Sequence, residues 1–123
     1  MTSHEQKVAA VHTYVDAFAA ASADAVAALF AQQCTVEDPV GSEAITGYDA
    51  VLAFYQRSMQ TGATLSLQGD IRTAGNFAAF AFRATIPGSA ALTIDVIDTF
   101  EFDEHGKIIA MRAFWGPQAM RKA

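Results

Sequence analysis

The sequence predicts an α+β fold, with three N-terminal helices packed on a curved antiparallel sheet, and three observations carry that prediction. Apolar residues recur at helical spacing before Gly62 and at strand spacing after it. The strand-like runs are joined by short turns containing Gly, Pro or Asn, as antiparallel hairpins require. The 123 residues are 52% apolar, enough for one domain spanning 1–123 to bury a core with material left for a pocket or a subunit interface.

Ser3 and Gln6 form a capping box, and Val8, Val11, Val15 and Phe18 then repeat at helical intervals, so the first helix runs to about Ala21. Ser22 caps a shorter helix from Ala23 to Phe30, with Val26, Leu29 and Phe30 on its apolar face. Cys34-Thr35-Val36-Glu37-Asp38 alternates as a strand and ends at Pro39, which has no N–H to give a ladder. A third helix starts near Gly47 or Tyr48, carries Val51, Leu52, Phe54, Tyr55 and Met59, and closes at Gly62. Strands follow at Thr64–Thr73, Phe77–Ile86, Ala91–Asp103 and Lys107–Trp115, separated by Gly75-Asn76, Pro87-Gly88-Ser89 and Glu104-His105-Gly106. Helices first and hairpins afterwards put the helices on one face of the sheet. If the sheet curves at interruptions such as Gly69, helices and sheet enclose an apolar cone.

Composition excludes several functions. Eight Lys and Arg are scattered among thirteen Asp and Glu, a net charge of −5, so the basic footprint of a nucleic-acid partner is missing. Met1 to Lys7 lacks the pattern of a signal peptide, and no stretch reaches the roughly 18 consecutive apolar residues of a membrane span. A soluble, cytoplasmic protein with no membrane partner is expected. The single cysteine, Cys34, cannot form an internal disulfide and reads as a small core residue. His4, His12 and His105 lack metal-ligand spacing, and no phosphate-cradling loop or nucleophile elbow is present, so neither metal nor bound nucleotide is expected.

The residue most in need of explanation is Asp98. In the strand around it, Ile94, Val96, Asp98, Phe100 and Phe102 share one face, while Asp95, Ile97, Thr99, Glu101 and Asp103 share the other. A carboxylic acid centred on an apolar face either costs several kcal/mol to ionise or keeps its proton. Parity also sends Asp38 to the face of Cys34 and Val36, and Glu37 away from it, although an Asp before Pro commonly serves only to stabilise a turn. Tyr14 lies between Val11 and Phe18 on the buried stripe of the first helix, and Tyr55 lies beside Phe54 on the third; each could simply pack in the core. Two inward acids and one or two phenols in a greasy cavity form a set able to abstract a proton next to a ketone. An ionised carboxylate takes the proton, and uncharged donors hold the enolate oxygen.

These stretches resemble the bacterial ketosteroid isomerases (steroid delta-isomerases) of the NTF2-like superfamily. Thr35-Val36-Glu37-Asp38-Pro39-Val40-Gly41-Ser42-Glu43 is similar to their base-bearing segment, and Ala53-Phe54-Tyr55 to their third helix. Asp95-Val96-Ile97-Asp98, with Phe102 to Ile108, resembles their oxyanion-hole strand and hairpin, and Met111 to Gly116 their last strand. The resemblance implies an NTF2-like conical barrel, commonly a homodimer, that moves the double bond of a 3-oxo-5-ene steroid into conjugation without a cofactor. Asp38 would carry a proton from C4 to C6. Tyr14 and protonated Asp98 would donate to the dienolate oxygen, with Tyr55 supporting Tyr14. This division between an ionised and a neutral acid is the established pattern of ketosteroid isomerases, and it is carried over with the resemblance. Trp115 would flank Asp38, and Phe54, Phe80, Phe82, Val96 and Met111 would line the steroid slot. Phe30 stands where some relatives carry another tyrosine, and the segment around Pro87 is this chain's own.

Two alternatives belong to other classes. A non-catalytic NTF2-like module could bind an apolar ligand or partner, but would not need Tyr14, Asp38 and Asp98 to converge. A dehydratase or epoxide hydrolase would want an inward His-Asp pair or Asp-Arg-Asp set, which only Arg72, Arg83 or Arg112 could complete, and parity pairs none of them.

Overall fold

The computed structural model describes residues 2–88 and 90–122. Ser89, in the turn expected at Pro87-Gly88-Ser89, lies outside them, as does Met1. Helix α1 spans His4–Ala19, α2 Ala23–Ala27 and α3 Tyr48–Met59; the strands are β1 Phe30–Glu37, β2 Ile45–Thr46, β3 Thr64–Leu67, β4 Arg72–Ala74, β5 Phe77–Ile86, β6 Leu92–Phe102, β7 Ile108–Phe114 and β8 Met120–Lys122. Ser3 caps α1 in a reciprocal box with Gln6, satisfying two otherwise free backbone donors. Ser22 caps α2 through the Ala25 N–H.

The described strands form one sheet in the order β2-β1-β7-β6-β5-β3, with β4 also on β5 and β8 on β6. The pairs β5/β6 and β6/β7 are the expected antiparallel hairpins. The contact between β1 and β7 is parallel, which makes the sheet mixed. It also explains why α2 stops early. Phe30 pairs with Ile108, and the Ile108 N–H bonds the Leu29 carbonyl at 2.8 Å, so sheet pairing takes residues that helical spacing alone assigns to α2. The run expected from Thr64 to Thr73 is broken in two. Leu67 faces Phe82 and Arg72 faces Ala79, so five steps along one strand oppose three along β5; the surplus falls in the segment that contains Gly69, whose φ is +82°.

The core lies between the helices and the concave face of the sheet. Val11, Tyr14, Ala17 and Phe18 of α1 and Val51 and Tyr55 of α3 pack against Phe80, Val96, Phe100, Phe102 and Met111. Cys34 is buried among them as a small core residue. Lys7 is buried as well, and its ammonium donates to the Gly75 carbonyl, tying α1 to the β4–β5 turn. Apolar spacing gave no sign of that anchor. Among the described residues no helix is long and apolar enough to cross a membrane.

Candidate active site

Strand β6 alternates as its sequence requires. Val96, Asp98, Phe100 and Phe102 are buried, and Ile97 between them is half exposed. Asp98 is 1% exposed, and neither carboxyl oxygen has a hydrogen-bond partner among the described residues. Burial, and next the negative charge of Asp38, push its pKa well above the usual carboxylate range. Tyr14 stands close enough to oppose that shift weakly, but its geometry relative to Asp98 falls short of a hydrogen bond. The shift favours the neutral acid, whose O–H can be donated.

Tyr14 and Tyr55 are buried at 3% and 1% exposure, their rings edge to face and their hydroxyls 3.0 Å apart. Either can donate. When Tyr55 does, the proton of Tyr14 is free for the cavity. Burial raises both phenols well above their ordinary range, so both remain donors rather than phenolates. Phe30, 5.8 Å from Tyr55 between ring centroids, extends the aromatic packing without adding a hydroxyl.

Asp38 follows the last residue of β1 and is half-buried. The indole Nε1–H of Trp115 donates to its Oδ1 at 2.7 Å, across 77 residues of chain. Burial raises the pKa of Asp38, and the indole bond pulls it back down. Register brings the two acids together. Glu37 pairs with Arg112, and the next residue of β7, Ala113, pairs with Asp98, so both acids flank Ala113 on about one rung. Two strand spacings separate their backbones by about 10 Å. Ala113, the residue between them, is small and buried.

These groups open on one cavity of about 240 Å³, walled by apolar side chains from α1, α3, β3, β5 and β6. Tyr14, Asp38, Asp98, Phe54, Tyr55, Phe82, Val96 and Trp115 all line it, as expected from the sequence. Phe80 and Met111 do not. Phe80 packs edge to face on Tyr14 and Phe100, and Met111, 1% exposed, pairs with Val36 and Phe100 in the sheet. They support the wall from behind. Sequence reasoning missed Ala84, Ile86 and Ile94, although the parity of Phe82 and of Asp98 would have included them, and Ser58, one helical turn beyond Tyr55. His105 is solvated in its turn. Among the described residues no three His, Cys, Asp or Glu side chains cluster to hold a metal.

A cone of helices and curved sheet closed over an acid-lined apolar cavity defines the class, and the comparisons agree. The SnoaL-like domain family matches residues 11–111. A solved structure, reported for the role of the epoxide hydrolase/cyclase-like enzyme SalBIII in pyran ring formation in polyether salinomycin, superposes with a TM-score of 0.92 over 100% of both chains at 25% identity. A steroid delta-isomerase of Nocardioides simplex is 41% identical over 114 residues, 91% of each chain. The chain belongs to the SnoaL-like family and, within it, to the ketosteroid isomerase family.

Proposed function

We propose that the protein is a cofactor-free steroid delta-isomerase that converts 3-oxo-5-ene steroids to their conjugated 4-ene isomers. The observation that carries this reading is the unpartnered, buried Asp98 beside the Tyr14 hydroxyl, with a second acid at the same level of one apolar cavity. A core acid without partners is a standing cost to the fold unless a ligand oxygen uses its proton. The 41% identity to a steroid delta-isomerase supports the substrate class.

In this mechanism the 3-oxo group sits between Tyr14 and Asp98. Ionised Asp38 takes a proton from C4, the electrons move onto the ketone oxygen, and the dienolate is held by two uncharged donors. Asp38, now protonated, returns the proton to C6, and the electrons fall back into the conjugated enone. Atoms balance within the substrate, and no oxidant or reductant is needed. Trp115 holds the carboxylate of Asp38 in place through its indole bond.

A binding module would have no use for an unsatisfied acid in its core. An epoxide hydrolase of the Asp-Arg-Asp kind would need an inward arginine, whereas Arg83 bonds Asp95, Arg112 forms an ion pair with Glu37 and Arg72 donates to the Asp70 carbonyl, and none of the three lines the cavity. The reading includes a cytoplasmic homodimer paired through the convex side of the sheet, where Phe77, Ile97 and Phe114 are exposed.

The test is ultraviolet detection of the conjugated enone formed from a 3-oxo-5-ene steroid. Asp38→Asn is expected to lose about 10²–10⁴-fold in turnover, the typical range for a general base, while still binding a planar phenolic steroid. Near-full activity of Asp38→Asn would refute the assignment.

A further inference from the structure

The acids, tyrosines and indole account for most polar side chains on the cavity wall. Two hydroxyls, Ser58 and Thr61, remain. Thr61 is at the end away from the oxyanion site, and Ser58 is on α3 between it and Tyr55. Along β6, Ile94 lies four residues from Asp98, about 13 Å of strand, and along β5, Ile86 lies the same number of steps beyond Phe82; both isoleucines are half-buried. Thr61, just past the end of α3, is exposed and marks the mouth. There α3 meets the β5–β6 connection: a Cβ on Gly62 would lie 3.1 Å from Cγ of Pro87.

The two hydroxyls differ in what they have left to offer. Thr61 Oγ1 donates to the Ser58 carbonyl at 2.7 Å and accepts from the Ala63 N–H at 3.2 Å, so it is engaged in both senses. Ser58 Oγ donates to the Phe54 carbonyl at 3.1 Å and accepts from no described group. Its proton is committed to the backbone and its lone pairs are not. A substrate group meeting Ser58 is therefore asked to donate.

We infer that Ser58 is a specificity-determining residue that reads the end of the substrate farthest from the reacting ketone, favouring a hydroxyl there over a ketone. This rests on the isomerase reading. With the 3-oxo group against Tyr14 and Asp98, the rigid ring system projects C17 toward the mouth. A 17β-hydroxyl can give Ser58 a hydrogen bond without disturbing α3. A 17-ketone can be served only if Ser58 gives up the Phe54 carbonyl, so the two hydrogen bonds exchange with no net gain.

The experiment compares two 3-oxo-5-ene steroids that differ only at C17, ketone against β-hydroxyl, on wild type and Ser58→Ala. Wild type is expected to favour the hydroxyl substrate about threefold to tenfold in kcat/KM, the usual net worth of one hydrogen bond, and to do so through KM rather than kcat. Ser58→Ala should erase the preference. Equilibrium binding of two phenolic steroids with the same C17 difference should show the same ratio and the same loss, independently of turnover. Turnover of both substrates with an unchanged ratio in Ser58→Ala overturns the role of Ser58 and leaves the isomerase intact. Failure of wild type to turn over either one overturns the isomerase reading, and this inference with it.

Discussion

Asp95 and Asp98 stand three residues apart on β6, on opposite faces, and their pKa values move in opposite directions. On the convex face Asp95 receives a two-pronged bond from Arg83 and a further bond from Arg121 of β8, which hold its carboxyl down at about 2. On the concave face Asp98 has no partner and is driven up, first by burial and then by the charge of Asp38. Asp38 is intermediate. It is half-buried, raised by desolvation and eased by one indole N–H. One residue type thus serves as a surface ion-pair partner and, in the proposed mechanism, as proton donor and as base, with its surroundings setting the direction of each shift.

The strongest way to break the contrast is to remove the concave acids and their phenol. After Asp38→Asn, the next largest losses are expected for Tyr14→Phe and Asp98→Ala. Each should lower kcat by about 10²–10³-fold, the typical effect of one oxyanion donor, as measured in the enone assay. Effects within twofold for both would remove them from the site.

A smaller effect sharpens the position of Asp38. Trp115→Phe removes the bond that lowers its pKa, leaving desolvation unopposed. The base must be ionised, so the acid limb of the kcat/KM profile should move to higher pH. A limb that stays in place or moves to lower pH would contradict the indole's role.

Stability completes the comparison with the smallest effects and opposite signs. The folded state holds the proton of Asp98 at pH values where an unfolded carboxyl has lost it, so folding becomes less favourable as pH rises above the ordinary aspartate range. Asp98→Asn should therefore melt at a higher temperature than wild type at neutral pH, with the advantage shrinking toward pH 4. Asp95 is depressed in the folded state, so its contribution is present above the ordinary aspartate range and is lost as pH falls toward 2. Asp95→Asn should lower the melting temperature slightly at neutral pH, and the difference should fade with acid and with salt. Calorimetric scans across pH for both variants check the pair.

Much of this was legible in the sequence, because alternation is strict where one sheet face is dry. Parity alone sent Asp98 and Asp38 inward and Glu37 outward, and strong capping signals marked both N-terminal helices. Long-range pairing was not legible. Strands β2 and β8 are too short to show a period, and nothing local in Phe30 says that Ile108 will take it from a helix. The resemblance implies Phe80 and Met111 as slot residues, and parity does not separate them from the lining, because an apolar residue of inward parity looks the same at the surface of a cavity and one layer behind it. Ser58 escaped notice because its significance lies in which carbonyl already holds its proton.

The parallel union of β1 with β7 has a consequence for how the protein is made. Asp38 belongs to the first third of the polypeptide, while Ala113 beside it in the sheet and Trp115, which donates to its carboxylate, leave the ribosome more than 70 residues later. On the proposed mechanism, a nascent chain that has already emitted both acids still lacks β7, the strand that lies between β1 and β6 and brings the two acids to one level.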